Sequence, residues 1–182
     1  MLIRALLALP DVGQVEAFAE PWQRLYGHSP LVATLVLFTH IAALLTGGGL
    51  ALAADRATLR LDLTDDSARA RHLSELAAVH RPIAIAIGAA FTSGVLLFLA
   101  DVEGFATSRV FWIKLALVAL LLGNGVVINR VQRSLREDRA RNVLDSAASA
   151  RERLWRRLRI GAATSVVLWF VLVLAGTALS SR

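Results

Sequence analysis

Long blocks of apolar residues, rather than short periodic stretches, dominate the hydrophobic pattern of the chain. Almost no charged residue interrupts these four blocks, which cover 31–54, 83–100, 110–128 and 160–179. About 20 helical residues cross the hydrocarbon core of a bilayer, and each block has about that length. The blocks lack the alternation of apolar and polar residues that a lipid-facing barrel strand shows. The pattern therefore predicts four membrane-spanning helices, because backbone groups in lipid need partners within their own segment.

The polar segments between the blocks predict how the helices are arranged. The connection 101–109 is short, whereas 55–82 and 129–159 are long enough to continue the helices as cytoplasmic extensions. Thr64 is the expected N-cap of the helix that leads into the second span. The stretch "MLIRALLALP", at the start of the periplasmic segment 1–30, predicts a short helix lying at the membrane interface. We expect an all-α integral membrane protein, a single domain built as an up-down bundle of four transmembrane helices.

The distribution of basic residues predicts the orientation of the bundle. Fifteen arginines lie in the connections 55–82 and 129–159, and four lie in the terminal segments and in 101–109. The positive-inside rule places the two long connections in the cytoplasm. We therefore expect a protein of the bacterial inner membrane with both termini in the periplasm, and a turn near "NVLDSAAS" in the second cytoplasmic connection.

Composition and charge narrow the class of partner. Hydrophobic residues make up 56% of the chain and the mean hydropathy is +0.59, above the roughly 45–50% apolar content of soluble domains. A net charge of +6 would suggest nucleic acid in a soluble protein. Because the arginines flank membrane spans, we instead expect anionic lipids, and other membrane subunits or a second copy, as partners. The absence of cysteine excludes thiolate metal sites, iron–sulfur clusters and disulfides.

Small residues recur at one depth in all four spans. Counting helical rise from the membrane edges brings seven glycines to similar heights: Gly47, Gly48, Gly49, Gly88, Gly123, Gly125 and Gly161. Helices in lipid associate by close packing, which small residues allow, so we interpret this layer as a helix-packing surface. The alternative is a slot that holds a flat cofactor, a pigment or a lipid.

His40 is the titratable residue inside the first span. It lies about 14 Å from the outer edge, level with Thr92 and Ser93 of the second span. One hypothesis is a neutral imidazole that is hydrogen-bonded within the bundle, and the other is a ligand of a b-type haem or copper. His80 lies about 31 Å from the same edge, so it cannot share one iron with His40.

Two charged residues lie near the ends of the spans. Lys114 is about 8 Å inside the third span, where it can extend to the headgroups, pair with Asp101 or Glu103, or take part in proton transfer. Asp55 closes the first block, where we expect an ion pair with an arginine or an anchor at the headgroups. The sequence contains no H-E-x-x-H or G-x-S-x-G motif and no carboxylate in mid-membrane, which favours a non-enzymatic protein.

Two stretches carry a resemblance to known membrane proteins. They are "FTHIAALLTGGGLALAADRATLR" and "FWIKLALVALLLGNGVVINR". Together they resemble an uncharacterised family of bacterial four-helix membrane proteins, DUF6644, and the membrane domain of CopD-like copper-resistance proteins, whose architecture is similar to cytochrome b561. The resemblance covers roughly residues 31–130. It implies a four-helix bundle in which His40 and Lys114 match recurrent family positions. For the cofactor we expect a b-type haem or copper, or equally no cofactor at all.

These observations lead to three hypotheses about function. We expect first an accessory or scaffold subunit of a larger redox or photosynthetic membrane assembly, or a homo-oligomer. The second hypothesis is a haem-binding or copper-binding membrane protein centred on His40, with Thr92, Ser93 and Lys114 around the cofactor. The third is a small transporter, whose polar path would be lined by Thr46, Thr92, Ser93 and Asn124.

Overall fold

The protein is all-α in the residues that the computed structural model describes, 12–140 and 148–180. Its helices are α1 (Val12–His28), α2 (Pro30–Arg60), α3 (Asp66–Ala100), α4 (Val102–Thr107), α5 (Arg109–Ala140) and α6 (Ala148–Ser180). Four of them, α2, α3, α5 and α6, are long and apolar enough to cross a membrane. They contain the four predicted spans and continue beyond them, so the predicted fold class is confirmed.

Two antiparallel hairpins build the bundle. α2 packs against α3, α5 packs against α6, and contact between α2 and α6 joins the hairpins. α3 and α5 do not pack continuously against each other, and we call the boundary between them the α3–α5 seam. The end of the bundle with the loop 61–65 is called the arginine-rich end, and the opposite end, with α4, the arginine-poor end. The neighbour order is therefore α3, α2, α6, α5.

Side chains close the α3–α5 seam at its two ends. At the arginine-poor end, Phe98 stacks on Phe111 with ring centroids 5.4 Å apart, and Phe105 of α4 packs on both rings. These three residues form the aromatic cluster. At the arginine-rich end, α3, α5 and α6 share a buried core made of Leu73, Leu76, Val131, Leu135, Trp155 and Leu158. Between these closures a Cβ at Gly125, two heptads from Phe111 on α5, would meet no described atom within 4 Å, so the seam is open at this position.

Local capping explains where the hairpin of α2 and α3 turns. Asp65, not the expected Thr64, is the N-cap of α3, and its carboxylate accepts from the Ser67 and Ala68 N–H groups at 2.7 and 3.2 Å. Thr64 instead donates its N–H and its hydroxyl to Asp62. Hydrogen bonds from the Ser67 side chain and from the backbone of Ala68 and Ser67 lower the pKa of Asp65. The carboxylate is thus kept charged at the helix N-terminus, where the dipole favours it.

The segment before the first span contains a longer helix than the sequence analysis expected. α1 packs on α3, where the Trp22 Nε1 donates to the Leu96 carbonyl at 2.8 Å, and Ala19 of α1 is buried. The interfacial helix predicted for "MLIRALLALP" lies outside the described residues. The turn predicted near "NVLDSAAS" lies largely within 141–147, which are also outside them. A half-buried ion pair between Arg151 and Asp138, at 2.7 Å, joins the extensions of α5 and α6.

Candidate functional site

His40 on α2 crosses to α3 inside the bundle. Its Nδ1 lies 3.0 Å from the Ala90 carbonyl oxygen and 3.1 Å from the Ser93 hydroxyl oxygen. The Ser93 hydroxyl donates its own hydrogen to the Ala89 carbonyl at 2.6 Å, so both neighbours of Nδ1 act as acceptors. The hydrogen of the neutral ring therefore sits on Nδ1, and Nε2 keeps its lone pair. Gly94 permits this approach, since a Cβ there would lie 3.2 Å from His40 Cε1.

The two hydroxyls that were predicted beside His40 both border a shallow groove between α2 and α3, but they differ in burial and in hydrogen bonding. Ser93 is buried and bonds the imidazole, whereas Thr92 is exposed on the outside of the hairpin. There Thr92 borders a shallow groove between α2 and α3 together with Leu35 and Thr39. Consecutive residues differ by about 100° around a helix, so only one of the two can face the neighbouring helix. Of the two hydroxyls, Ser93 is therefore the hydrogen-bond partner of His40 among the described residues, and Thr92 is not.

Lys114 on α5 lies half-buried against α6. A Cβ at Gly176 of α6 would come within 3.9 Å of the Lys114 Nζ. The predicted pairs with Asp101 and Glu103 do not form: the Asp101 carboxylate accepts from the Gly104 N–H at 3.0 Å, and Glu103 is exposed. Among the residues that the structure describes, none forms an ion pair with Lys114.

His40 and Lys114 come from different hairpins but share one layer. Lys114 follows Phe111 by three residues, and Gly94, over which the His40 ring lies, precedes Phe98 by four. Residues three and four apart share a helix face, so both basic groups lie about one turn below the aromatic cluster. The layer is a polar site in the half of the bundle near the arginine-poor end.

Three of the glycines make the close helix contacts that small residues permit. A Cβ at Gly47 would lie 3.0 Å from the Ala86 Cβ, and one at Gly48 would lie 3.1 Å from the Trp169 ring. A Cβ at Gly161 of α6 would approach a side-chain carbon of Ile128 on α5 to 2.8 Å. These approaches hold α2 against α3 and α6, and α6 against α5.

One polar side chain reinforces the contact between α5 and α6. The Asn124 amide donates to the Gly161 carbonyl at 2.9 Å. Such a bond between transmembrane helices satisfies a side chain that lipid would leave without a partner.

The other four glycines do not pack against any described residue. A Cβ at Gly49, Gly88, Gly123 or Gly125 would meet no described atom within 4 Å. For these four positions the helix-packing role stays a prediction, because the described residues of the chain provide no neighbour for them. Depth along a helix determines which residues are level with each other, but rotation about the helix axis determines which of them touch.

The sequence analysis missed a second polar group, which lies toward the arginine-rich end. Asp55 is 8% exposed, its Oδ2 has no hydrogen-bond partner among the described residues, and the Ser165 hydroxyl of α6 lies beside the carboxyl group. One turn further, the Thr58 hydroxyl lies 2.8 Å from Nε2 of the buried His72. Asp55 was expected at a membrane rim with an arginine, and it forms no ion pair with any described residue. The sequence does contain a signal for this burial: Asp55 follows Gly48 by seven residues, so both residues lie on the same face of α2.

An apolar layer separates the two polar groups. It consists of buried residues of α2 and α6, namely Ala43, Gly47, Gly48, Trp169 and Leu172. The residues expected to line a transport path are dispersed: Thr46 and Thr92 are exposed, and Asn124 bonds α6. The described residues thus provide no shared polar path along the bundle.

The described residues contain no group of three or more histidine, aspartate or glutamate side chains that could hold a metal ion. No family model, no curated protein and no solved structure matches the chain, so the resemblance to DUF6644 and CopD-like proteins stays a prediction.

Proposed function

We propose that this chain is a non-catalytic subunit of a membrane assembly, and that α5 is the helix with which it docks. The assembly consists either of copies of this chain or of a larger redox or photosynthetic complex. The supporting observation is the isolation of α5: it packs along α6, but not along α2 or α3. None of the residues in its apolar 18-residue window is buried.

A stripe of small residues on α5 identifies the docking face. Ala116, Ala119 and Gly123 are all exposed, and their spacing of three and four places them on one face. Glycine inside a helix costs about 1 kcal/mol relative to alanine. Gly123 gains no compensating contact within the described chain. A partner helix supplies one, since small residues let two backbones approach in lipid.

The docking proposal is tested with two substitutions on the same helix. Gly123→Leu is expected to abolish the crosslinked assembly in native membranes, because the larger side chain holds the partner helix away. The control is Gly125→Leu, which also enters open space but lies on a different face of α5. The mass of the wild-type crosslinked product distinguishes two copies of this chain from a complex with another subunit. A wild-type monomer in native membranes, or equal crosslinking in both variants, would contradict the proposal.

Orientation and location are part of the same proposal. We place the arginine-rich end in the cytoplasm and both termini in the periplasm of a bacterial inner membrane, because of the arginine asymmetry. Exposed arginines at that end, such as Arg56, Arg133 and Arg156, provide contacts for anionic lipid headgroups.

The rival function, haem or copper binding at His40, also has one observation in its favour. An Nδ1–H that donates to a backbone carbonyl is the arrangement that orients many metal-binding histidines through Nε2. The ammonium of Lys114 in the same layer opposes a bound metal cation. No other histidine of the described residues occupies this layer: His28 ends α1 before the first span, and His72 and His80 lie on α3 toward the arginine-rich end.

An absorption spectrum with metal analysis, on protein extracted from its native membrane, separates the two functions. We expect neither a Soret band nor stoichiometric iron or copper. A band or a bound metal that disappears in His40→Ala would replace the docking function with the redox function.

A further inference from the structure

The charge of Lys114 has no counterpart within the described chain. The nearest acidic residues in sequence, Asp101 and Glu103, are engaged at a helix cap or exposed. His40, the other ionisable group of the layer, is neutral or positive. A charged side chain inside a membrane span costs roughly 2.5–3.5 kcal/mol or more, and such residues usually pair. The layer is therefore complementary to an anionic group that the described residues do not supply.

The α3–α5 seam gives this layer access from the lipid. Phe111 and Phe98 close the seam at the arginine-poor end, and Lys114 and Gly94 lie about one turn below them on the same helix faces. Further along, the seam is open at Gly125. An apolar chain can therefore lie along the seam while its polar end reaches Lys114.

The depth of Lys114 in the bundle indicates which class of anion can reach it. Lys114 follows Arg109, the first residue of α5, by five residues, which is about 8 Å of helical rise. The phosphate of a phospholipid stays at the headgroup level, outside the aromatic cluster. A single-chain carboxylate can enter deeper, because its head is small and its chain is apolar.

We propose that Lys114 and His40, beneath the aromatic cluster, bind the carboxylate of a long-chain fatty acid that enters from the lipid through the α3–α5 seam. The Lys114 ammonium pairs with the carboxylate, the His40 ring borders it, and the acyl chain lies between α3 and α5. This site occupies a different face of α5 from the stripe at Ala116, Ala119 and Gly123. Failure of the docking proposal therefore leaves it unaffected.

The test uses the full chain in nanodiscs of phosphatidylcholine and a photoreactive palmitate as the probe. Lys114→Gln, which keeps the length of the side chain nearly unchanged and removes the charge, is expected to weaken labelling at least about tenfold. Arg109→Gln, which removes a charge of the same sign at the start of α5, is the matched control and should label like the wild type. Equal labelling of Lys114→Gln and the wild type would overturn the proposal.

Competition on the wild-type protein tests the chemistry without any variant. Unlabelled palmitate should displace the probe, whereas methyl palmitate, with the same chain and no charge, should not. Displacement by the ester as effectively as by the acid would show that the seam binds acyl chains without recognising the carboxylate. Displacement by phosphatidylglycerol at the same concentration as palmitate would show that a lipid phosphate is the ligand. Either result would overturn the assignment.

Discussion

Replacing Trp155 with alanine is expected to lower the free energy of unfolding by about 3–5 kcal/mol, the range for removing a large aromatic side chain from a core. Trp155 is 2% exposed and contacts α3 and α5 residues in the core at the arginine-rich end. The guanidinium of Arg69 also lies 6.0 Å from the centroid of its ring. The substitution leaves a cavity at the place where three helices meet at the arginine-rich end, and removes a cation–π contact.

Denaturant unfolding in a mild detergent, followed by circular dichroism, measures this effect. The matched control is Trp112→Ala, because Trp112 is 49% exposed at the opposite end of the bundle. Its loss should change the free energy of unfolding much less. Similar destabilisation by the two substitutions would contradict the assignment of the main core to the arginine-rich end.

Replacing Gly48 with leucine is expected to destabilise the bundle by about 3 kcal/mol, at the upper end of the range for overpacking. A Cβ at Gly48 already comes within 3.1 Å of the Trp169 ring, which is buried and rigid. The larger side chain must therefore separate α2 from α6, and this contact joins the two hairpins. The expected result is a lower unfolding midpoint together with a larger distance between α2 and α6.

The neighbouring glycine provides the control. A Cβ at Gly49 meets no described atom within 4 Å, so leucine there faces open space. Gly49→Leu should leave stability unchanged or raise it by up to about 1 kcal/mol, because glycine is a poor helix former. A cysteine pair placed across α2 and α6 reports their distance by spin labelling in both variants. If Gly48→Leu and Gly49→Leu behave alike, the Gly48–Trp169 contact does not hold the hairpins together.

Depth was the part of the candidate site that could be predicted. Helical rise is constant, so counting residues from the membrane edges placed His40 level with Ser93, and the two side chains are bonded at 3.1 Å. The same count could not distinguish Ser93 from Thr92, or Gly48 from Gly49. The side chains of such neighbours point in directions about 100° apart. In lipid an apolar side chain can face outward without a free-energy cost, so the hydrophobic pattern does not reveal how each helix is rotated about its axis.

The sequence by itself determined the class of the protein, because a long apolar segment in lipid forms a helix, in which its backbone groups hydrogen-bond to one another. It did not determine that α2 packs on α6 while α3 and α5 stay apart. Short connections do not dictate this order, because close contacts such as Gly48 against Trp169 decide which helices associate in lipid. Only the tertiary structure therefore showed that Lys114 lies against α6, that Asp55 is buried, and that a seam separates α3 from α5.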